Sequence, residues 1–578
     1  MKLSQEALVV LLVVFLAVGG LVVRFFPFSQ GDLDKDMPPI ITSFDLFADT
    51  SYTKYMHDTE DAHYNPPYRV MGVKSLTVQP VHFFLFITTF TKLTNLSPYQ
   101  TTILLTHVAS VLLALAAFVL IRRAFGWKIG LLALALVAFP QAKWLFQIYI
   151  GFLYDQYAFL FVPAIAFFLL SFFQKELGTR QTVLAGIIIG FFAVTQWLSH
   201  YVELFLYAPL FGALWLFFLW KQGWNKQFFV IAAVVVLVFT PYFLYFYPIT
   251  KQGHLAGGFV EKFQELVHLG KPSPYPGYWP DPRFSPFLNI FGALGLVYLC
   301  GKAFKRQWNT YQLLALALVF YALAIGLSNY VGMDANRAGR QLFNSLSLLV
   351  IFPAVGLYLA YSVVTSHRLV KPFSAVLFLV LIGGLVFVSA PKTYAELEAI
   401  DRGAFVDDEK WASIAWIRDK TPQESRVFYL NGFFHEFAML GERPFSEGIV
   451  LPNPESMQYN FERLCSGNWT PVYAGHWGNG EFAYAAGEPA YLKERVGWDT
   501  FTYVKPFDDP ESRAAFKYNM TISYVPLRFF DYAVVEYKGT QLDPCAAFFL
   551  NQSIERGHTI AWNNNRMAIL KINKTARP

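Results

Sequence analysis

Cysteine and charge are both scarce in this sequence. Three cysteines in 578 residues exclude a scaffold built on disulfides, and charged residues make up only 15% of the chain, against about 25% in an ordinary soluble domain. The net charge of +6 comes with no cluster of Lys and Arg, which removes the basic surface that nucleic acid binding needs. No internal repeat or low-complexity tract is present. His57 and His63 lie among acids, but their spacing fits no established zinc pattern. The apolar run 7–26 lacks a small-x-small cleavage pattern after it. Bulky Arg24-Phe25-Phe26-Pro27-Phe28 follows instead, so the run reads as a retained first helix rather than a signal peptide.

What is abundant is apolar surface. Hydrophobic residues form 55% of the chain, with 59 Phe and 14 Trp, and the mean hydropathy is +0.37. A polytopic membrane protein follows, with aromatic side chains suited to lipid and to the interfacial belts. Counting runs of spanning length gives about eleven transmembrane helices, with cores near 7–26, 99–121, 129–147, 158–174, 183–198, 203–220, 228–247, 287–301, 312–330, 342–365 and 374–391.

The connections alternate in charge. Arg122, Arg123 and Lys128, then Lys175 and Arg180, Lys221 and Lys226, Lys302, Lys305 and Arg306, and Arg368 and Lys371 mark one side, the cytoplasmic side by the positive-inside rule. The expected topology in a plasma (inner) membrane therefore has a cytoplasmic N-terminus and an extracytoplasmic C-terminus. The other connections, 27–78, 148–157, 198–203, 248–286 and 331–341, and the tail from about 392 lie outside together. Residues 1–391 are expected to form the membrane domain and 392–578 a soluble α/β domain, with a helix over 407–418 and strands over 426–430, 532–537 and 567–572. Cys465 and Cys545 both fall in that domain and could pair in an oxidising compartment.

Within the outer segments, several residues are candidates for chemistry. Arg337 and Arg340 put positive charge in a short outer loop, against the rule. They are either headgroup anchors or ion-pair partners of Asp334, or a guanidinium clamp for a phosphate. Asp155 stands between two apolar runs in IleGlyPheLeuTyrAspGlnTyrAlaPheLeuPhe (150–161) with no basic neighbour; it is either a helix cap or a site residue. The first outer loop is too long for a mere connector and rich in acids, with Asp45 and Asp49 four apart in SerPheAspLeuPheAlaAspThrSerTyrThrLysTyr (43–55). Either carboxylate could take a proton from an acceptor. In GlnTrpLeuSerHisTyrValGlu (196–203), His200 and Glu203 sit near the outer surface, as a helix-end pair or as substrate contacts. Residues 80–96 read as a half-helix or interfacial helix, and 258–269 as an amphipathic helix on the outer surface.

These features together resemble the GT-C superfamily of membrane glycosyltransferases. TyrIleGlyPheLeuTyrAspGlnTyrAlaPheLeuPhe is similar to the second-loop acidic motif of oligosaccharyltransferase catalytic subunits, and AspThrSerTyrThrLysTyr resembles their first-loop motif. The exact motifs cover a few dozen residues. The resemblance implies transfer of a sugar from a polyprenyl-phosphate donor to a lipid, glycan or protein acceptor on the outer face. Asp49, Asp45 and Asp155 would then be catalytic, Arg337 and Arg340 would bind the donor phosphate, and Tyr154, His200, Glu203 and Tyr52 would line the pocket. It also raises a divalent cation, Mg or Mn, as cofactor. Leu153-Tyr154-Asp155 replaces the family's paired Asp-x-Asp, so no metal ligands are assigned. A sequon-reading TrpTrpAsp motif is missing, GlyHisTrpGlyAsnGly (475–480) being a poor substitute, which sets en bloc oligosaccharide transfer second to single-sugar transfer. A transporter would show paired interrupted helices in two repeats, which this sequence lacks.

Overall fold

The computed structural model describes residues 5–25, 44–60, 81–139, 157–173, 176–223, 226–253, 286–305, 307–327, 347–402, 408–430, 441–443, 445–447, 472–474, 522–524, 530–537 and 543–575. The expected amphipathic helix 258–269 and the Cys465–Cys545 pairing lie outside the described residues and side chains. Two compact units result.

The first unit is a helical bundle. Its helices are α1 (Gln5–Phe25), α3 (Val81–Thr94), α4 (Pro98–Phe125), α5 (Trp127–Ala138), α6 (Phe161–Phe173), α7 (Thr179–Gln222), α8 (Lys226–Gly253), α9 (Pro286–Phe304), α10 (Thr310–Leu327), α11 (Ile351–Ser366) and α12 (Ser374–Arg402); α2 belongs to the second unit. Each of the eleven apolar stretches expected from hydropathy overlaps one of these helices within the described residues. Among the described residues, six segments are long and apolar enough to cross a membrane, and the remaining apolar helices are shorter. The expected half-helix near 80–96 is α3, joined to α4 by a tight turn. Ser97 caps α4 there, its hydroxyl accepting from the Gln100 amide at 3.2 Å.

Helix α5 is the axis of the bundle, with every residue from Ile129 to Ala138 buried. Around it, α1, α8 and α12 turn apolar side chains outward. Phe15 is 59% exposed, Leu237 73% and Phe387 80%, surface that only hydrocarbon would cover favourably. Helices α9 and α11 approach so closely that a methyl group at Gly295 would lie 2.0 Å from the Phe352 carbonyl oxygen, and one at Gly356 would lie 1.9 Å from that of Phe291. Small residues allow this backbone-to-backbone contact where no hydrophobic effect drives helices together.

Helix α7 runs through the expected outer loop 198–203 without losing helical backbone, yet it cannot be straight. A side chain at Gly186 would press on Val234 and one at Gly190 on Val238, so the first half of α7 runs parallel to α8. Trp215, in the second half, packs 6.2 Å from Phe229. In a straight helix Gly186 and Trp215 would be about 43 Å apart, whereas their partners on α8 lie within two turns. The chain therefore reverses between the halves, as two antiparallel spans require. Pro209 sits in the returning half, and the neighbouring Leu206 carbonyl accepts from the Tyr321 hydroxyl at 2.6 Å.

This reversal, with a set of side-chain contacts, gathers the basic connections at one end of the bundle. Lys128 reaches the Tyr361 hydroxyl at 3.0 Å, and that hydroxyl donates to the Ser374 carbonyl at 2.9 Å. Asn309 donates to the Ala124 carbonyl at 3.3 Å, Arg123 lies 4.8 Å from the Tyr311 ring, and Gln227 donates to the Phe172 carbonyl at 2.7 Å. The charge alternation in the sequence thus corresponds to a physical end of the molecule.

The second unit contains α2 (Phe44–Thr59), α13 (Asp408–Lys420), α14 (Asp543–Glu555) and a mixed sheet. Its strands are β1 (Val427–Leu430), β2 (Phe445–Glu447), β5 (Tyr532–Glu536), β6 (Thr559–Asn563) and β7 (Met567–Lys571), in the order β2-β1-β5-β7-β6; β3 (Val472–Ala474) and β4 (Ile522–Tyr524) pair separately. Strand β1 is parallel to both of its neighbours, β7 antiparallel to β5 and β6. Continuous burial along β1, β5 and β7 fits a sheet covered on both faces, with Phe428 against Phe549 of α14 and Trp416 of α13 against Tyr532. The helix and three strands expected from sequence are α13, β1, β5 and β7.

Candidate active site

The bundle is polarised in chemistry as well as charge. Apart from Thr182 and Gln312, the buried polar side chains of the described bundle helices lie toward the end opposite the basic connections. They include Arg24 on α1, Thr88 and Thr91 on α3, Thr101, Thr102, Thr106, His107 and Ser110 on α4, Gln196 and Ser199 on α7, and Ser389 and Thr393 on α12. Polar groups at membrane depth are costly and mark sites by default.

Arg24 is the most charged of them and is 1% exposed. Its guanidinium donates to Ser110 Oγ at 2.6 Å, to the Val137 carbonyl at 3.0 Å and to the Ala138 carbonyl at 3.4 Å, and Glu396 on α12 supplies an opposite charge. The planar fork thus ties the end of α1 to α4 and α5. Phe25 adds an edge-on contact with His107 at 5.2 Å. The chain that leads to α2 leaves from this fixed point.

At the start of α6, Tyr157 packs against Phe83 and Phe86 of α3 at 5.7 and 5.3 Å, and against Phe161 at 5.6 Å. Phe161 in turn meets Phe192 of α7 at 5.6 Å. The start of α6, immediately after the Tyr154-Asp155 motif in the chain, is therefore held by an aromatic wall between α3 and α7.

Helix α2 carries the acidic motif that follows the first apolar stretch. Asp45 and Asp49 occupy backbone positions one turn apart on it, as expected from the sequence; their side chains lie outside the description. Tyr52, Thr53 and Met56 are buried. Lys54 bridges Asp58 at 2.6 Å and Glu442 at 3.0 Å, and His57 Nδ1 meets Asp58 at 3.0 Å. Glu442 takes a positive φ of 52°, uncommon outside glycine. Its neighbour Arg443 fixes the turn, donating to the Glu442 carbonyl at 3.0 Å, to Thr421 Oγ1 at 3.1 Å and to the Arg418 and Thr421 carbonyls. Burial opposes the charge on Lys54, but hydrogen bonds and charge from Asp58 and Glu442 outweigh it and raise the ammonium pKa. Burial likewise works against the Asp58 carboxylate, and His57 and Lys54 overcome it and lower its pKa.

Of the residues assigned to the site from sequence, Tyr52 is the one whose side chain the structure describes, and it is fully buried. His200 and Glu203 lie on the α7 backbone, with side chains outside the description; Tyr154, Asp155, Arg337 and Arg340 fall outside the described residues altogether. Among the described residues no group of three His, Cys, Asp or Glu gathers as a metal site, and the candidate acids are not in that set. Sequence reading passed over Arg24, His107 and Gln196. Arg24 looked like a helix flank, and a single His or Gln in an apolar helix gives no pattern to find.

No protein-family model and no curated protein sequence matches this chain. Solved structures do. The chain is similar to the oligosaccharyltransferase of Archaeoglobus fulgidus in the apo form, with a TM-score of 0.59 and 12% identity over 96% of this chain and 82% of that one. It is similar to ArnT from Cupriavidus metallidurans bound to undecaprenyl phosphate, with a TM-score of 0.56 and 14% identity over 98% and 99% of the two chains. A third likeness is to the arabinofuranosyltransferase AftD from Mycobacteria, with a TM-score of 0.51 and 12% identity over 100% of this chain and 40% of that one. The chain therefore shares the fold of these structures, the GT-C-like fold that the sequence resemblance led us to expect.

Proposed function

We propose that this protein is a membrane glycosyltransferase that moves a single sugar from a polyprenyl-phosphate donor to an acceptor on the non-cytoplasmic face. The observation that carries this reading is the end-to-end likeness to ArnT, covering 98% of this chain and 99% of that one, a transferase fold solved with a lipid phosphate bound. The buried polar end of the bundle supports it, because hydrocarbon alone gives no reason to keep those groups.

In this reading an acceptor oxygen attacks the anomeric carbon while the carbon–oxygen bond to the phosphate breaks, inverting the configuration. Asp49, with Asp45 one turn before it and Asp155 from the second loop, takes the acceptor proton. The polyprenyl phosphate leaves with added negative charge, which Arg337 and Arg340 stabilise. Tyr154, Tyr52, His200 and Glu203 line the pocket. About eleven spans and a cytoplasmic N-terminus place the C-terminal unit outside, and a cytoplasm-active reporter fused to the C-terminus should be silent.

The test of function is turnover by the purified protein with a panel of radiolabelled polyprenyl-phosphate sugars. Transfer of label to lipid or glycan acceptors is expected; no transfer with any member would refute the reading. En bloc oligosaccharide transfer is the second reading, favoured by the TM-score of 0.59 to the archaeal oligosaccharyltransferase. A lipid-linked oligosaccharide and a sequon peptide in the same assay decide between them.

A further inference from the structure

A polar side chain inside a membrane bundle normally bonds to a neighbouring helix or back to its own backbone, because no water is there to satisfy it. Most of the polar end obeys this rule. Thr102, Thr106, Ser199 and Thr393 donate to the carbonyl four residues earlier at 2.8, 2.8, 2.6 and 3.1 Å, and Arg24 has three acceptors. Gln196 does not. Its side chain is 0% exposed, and neither Oε1 nor Nε2 has a hydrogen-bond partner. Leaving both ends of an amide unmet in apolar surroundings is heavily penalised, and a leucine would fill a similar volume without that penalty.

The position of Gln196 suggests what meets it. It stands one turn beyond Phe192, whose ring packs 5.6 Å from both Phe161 and Phe168 of α6, so helical spacing sets Gln196 over the start of α6. There the rings of Tyr157, Phe83 and Phe86 form the aromatic wall described above. The amide is an uncharged donor and acceptor set against that wall, at the end of the bundle where the polar residues gather. A phosphate offers acceptors alone and would leave Oε1 unmet. A cation would leave Nε2 unmet. Hydroxyl groups both donate and accept, and two neighbouring hydroxyls of a sugar ring satisfy both ends of one amide.

We infer that Gln196 binds hydroxyl groups of the sugar carried by the lipid donor, an inference that rests on the transferase reading above. It makes Gln196 a specificity residue for the sugar, separate from the groups that hold the phosphate.

The full-length protein in nanodiscs is titrated with undecaprenyl phosphate, bare or carrying glucose, mannose, galactose or arabinose, as wild type and as Gln196→Leu and Gln196→Met. The wild type should bind at least one glycosylated lipid about 10-fold more tightly than the bare one. Both variants should lose that increment, keep their affinity for the bare lipid, and melt at the same or a higher temperature than the wild type. The inference is overturned if a variant keeps the sugar increment, if bare-lipid affinity falls in parallel, or if the wild type gains nothing from any sugar. A change confined to the KM of the acceptor would reassign Gln196 to acceptor hydroxyls and overturn the donor assignment. Failure of the transferase reading looks different: no turnover with any donor, and no binding of the bare lipid phosphate.

Discussion

The ion pair between Lys54 and Glu442 ties α2, the carrier of the first acidic motif, to the turn before β2. At 3.0 Å, with the two side chains 21% and 23% exposed, it lies between two regimes. Exposed pairs are worth ~0.2–1 kcal/mol, whereas cutting one partner from a buried pair costs ~3–5 kcal/mol. We expect a coupling of about 1 kcal/mol, or roughly fivefold in the opening of α2. Lys54→Ala should cost more than Glu442→Ala, because Lys54 also holds Asp58 at 2.6 Å. Amide hydrogen exchange across α2 in the two single variants and the double variant closes the cycle. Effects that add to within about 0.3 kcal/mol would refute the clasp.

Reversing the pair sharpens the test. Lys54→Glu with Glu442→Lys restores the bridge but sets the new carboxylate one turn from Asp58, a repulsive spacing. Rescue should therefore be partial, and adding Asp58→Asn should complete it. The pH dependence has two separate edges. The raised Lys54 pKa gives stabilisation that is full below the ordinary lysine value and is lost as pH climbs through the raised one. The lowered Asp58 pKa gives stabilisation present above the ordinary carboxylate value and lost as pH falls through the depressed one. Between those edges the clasp is flat, so any change of activity near neutrality must come from another group.

Asp49→Asn should cut turnover by roughly 100-fold while the protein still folds; normal turnover there with loss in Asp45→Asn would move the base one turn back. Arg337→Ala and Arg340→Ala should each lower kcat/KM for the donor by ~2–4 kcal/mol, with the Lys variants intermediate. Near-normal values in all four folded variants would make these residues headgroup anchors. Gly295→Ala should destabilise the bundle by ~3 kcal/mol or more, since its methyl meets a carbonyl oxygen 2.0 Å away. Gly383→Ala, with nothing within 4 Å, should be neutral or stabilise by up to ~1 kcal/mol. Equal melting temperatures for the two would refute the α9–α11 packing.

Hydropathy located the helices because one apolar residue after another is a local signal that bilayer thickness reads directly. Charge alternation located the basic end for a similar reason: each connection carries its own Lys or Arg, and contacts such as Asn309 with Ala124 then bring those connections together. The strands β1, β5 and β7 were legible as short apolar runs, but their order was not. Strand β1 pairs with β5 far along the chain, and the pattern of either strand alone fits many neighbours. The fold-back of α7 was legible as two spans, but sequence put His200 and Glu203 in the loop between them, whereas both have helical backbone.

The site was legible where chemistry was unusual for its surroundings, and illegible where it was not. Aspartate flanked by aromatics, and arginine in a connection where the charge alternation expects none, stand out against the composition. Arg24 does not, because an arginine at the end of a span is the ordinary way to finish one; only the three acceptors around it show that it is enclosed rather than snorkelling. Gln196 and Ser199 differ in the same way. Both are single polar residues in one apolar helix, and sequence gives them equal weight. Ser199 closes its hydrogen bond on the Thr195 carbonyl at 2.6 Å, and Gln196 closes none. That difference depends on side-chain reach, a property of packing that appears in no spacing or composition. The buried polar end is for that reason a better guide to the proposed transfer site than the acids alone: each of its residues has been taken out of water, and those that fold back on themselves can be separated from those, such as Gln196, that do not.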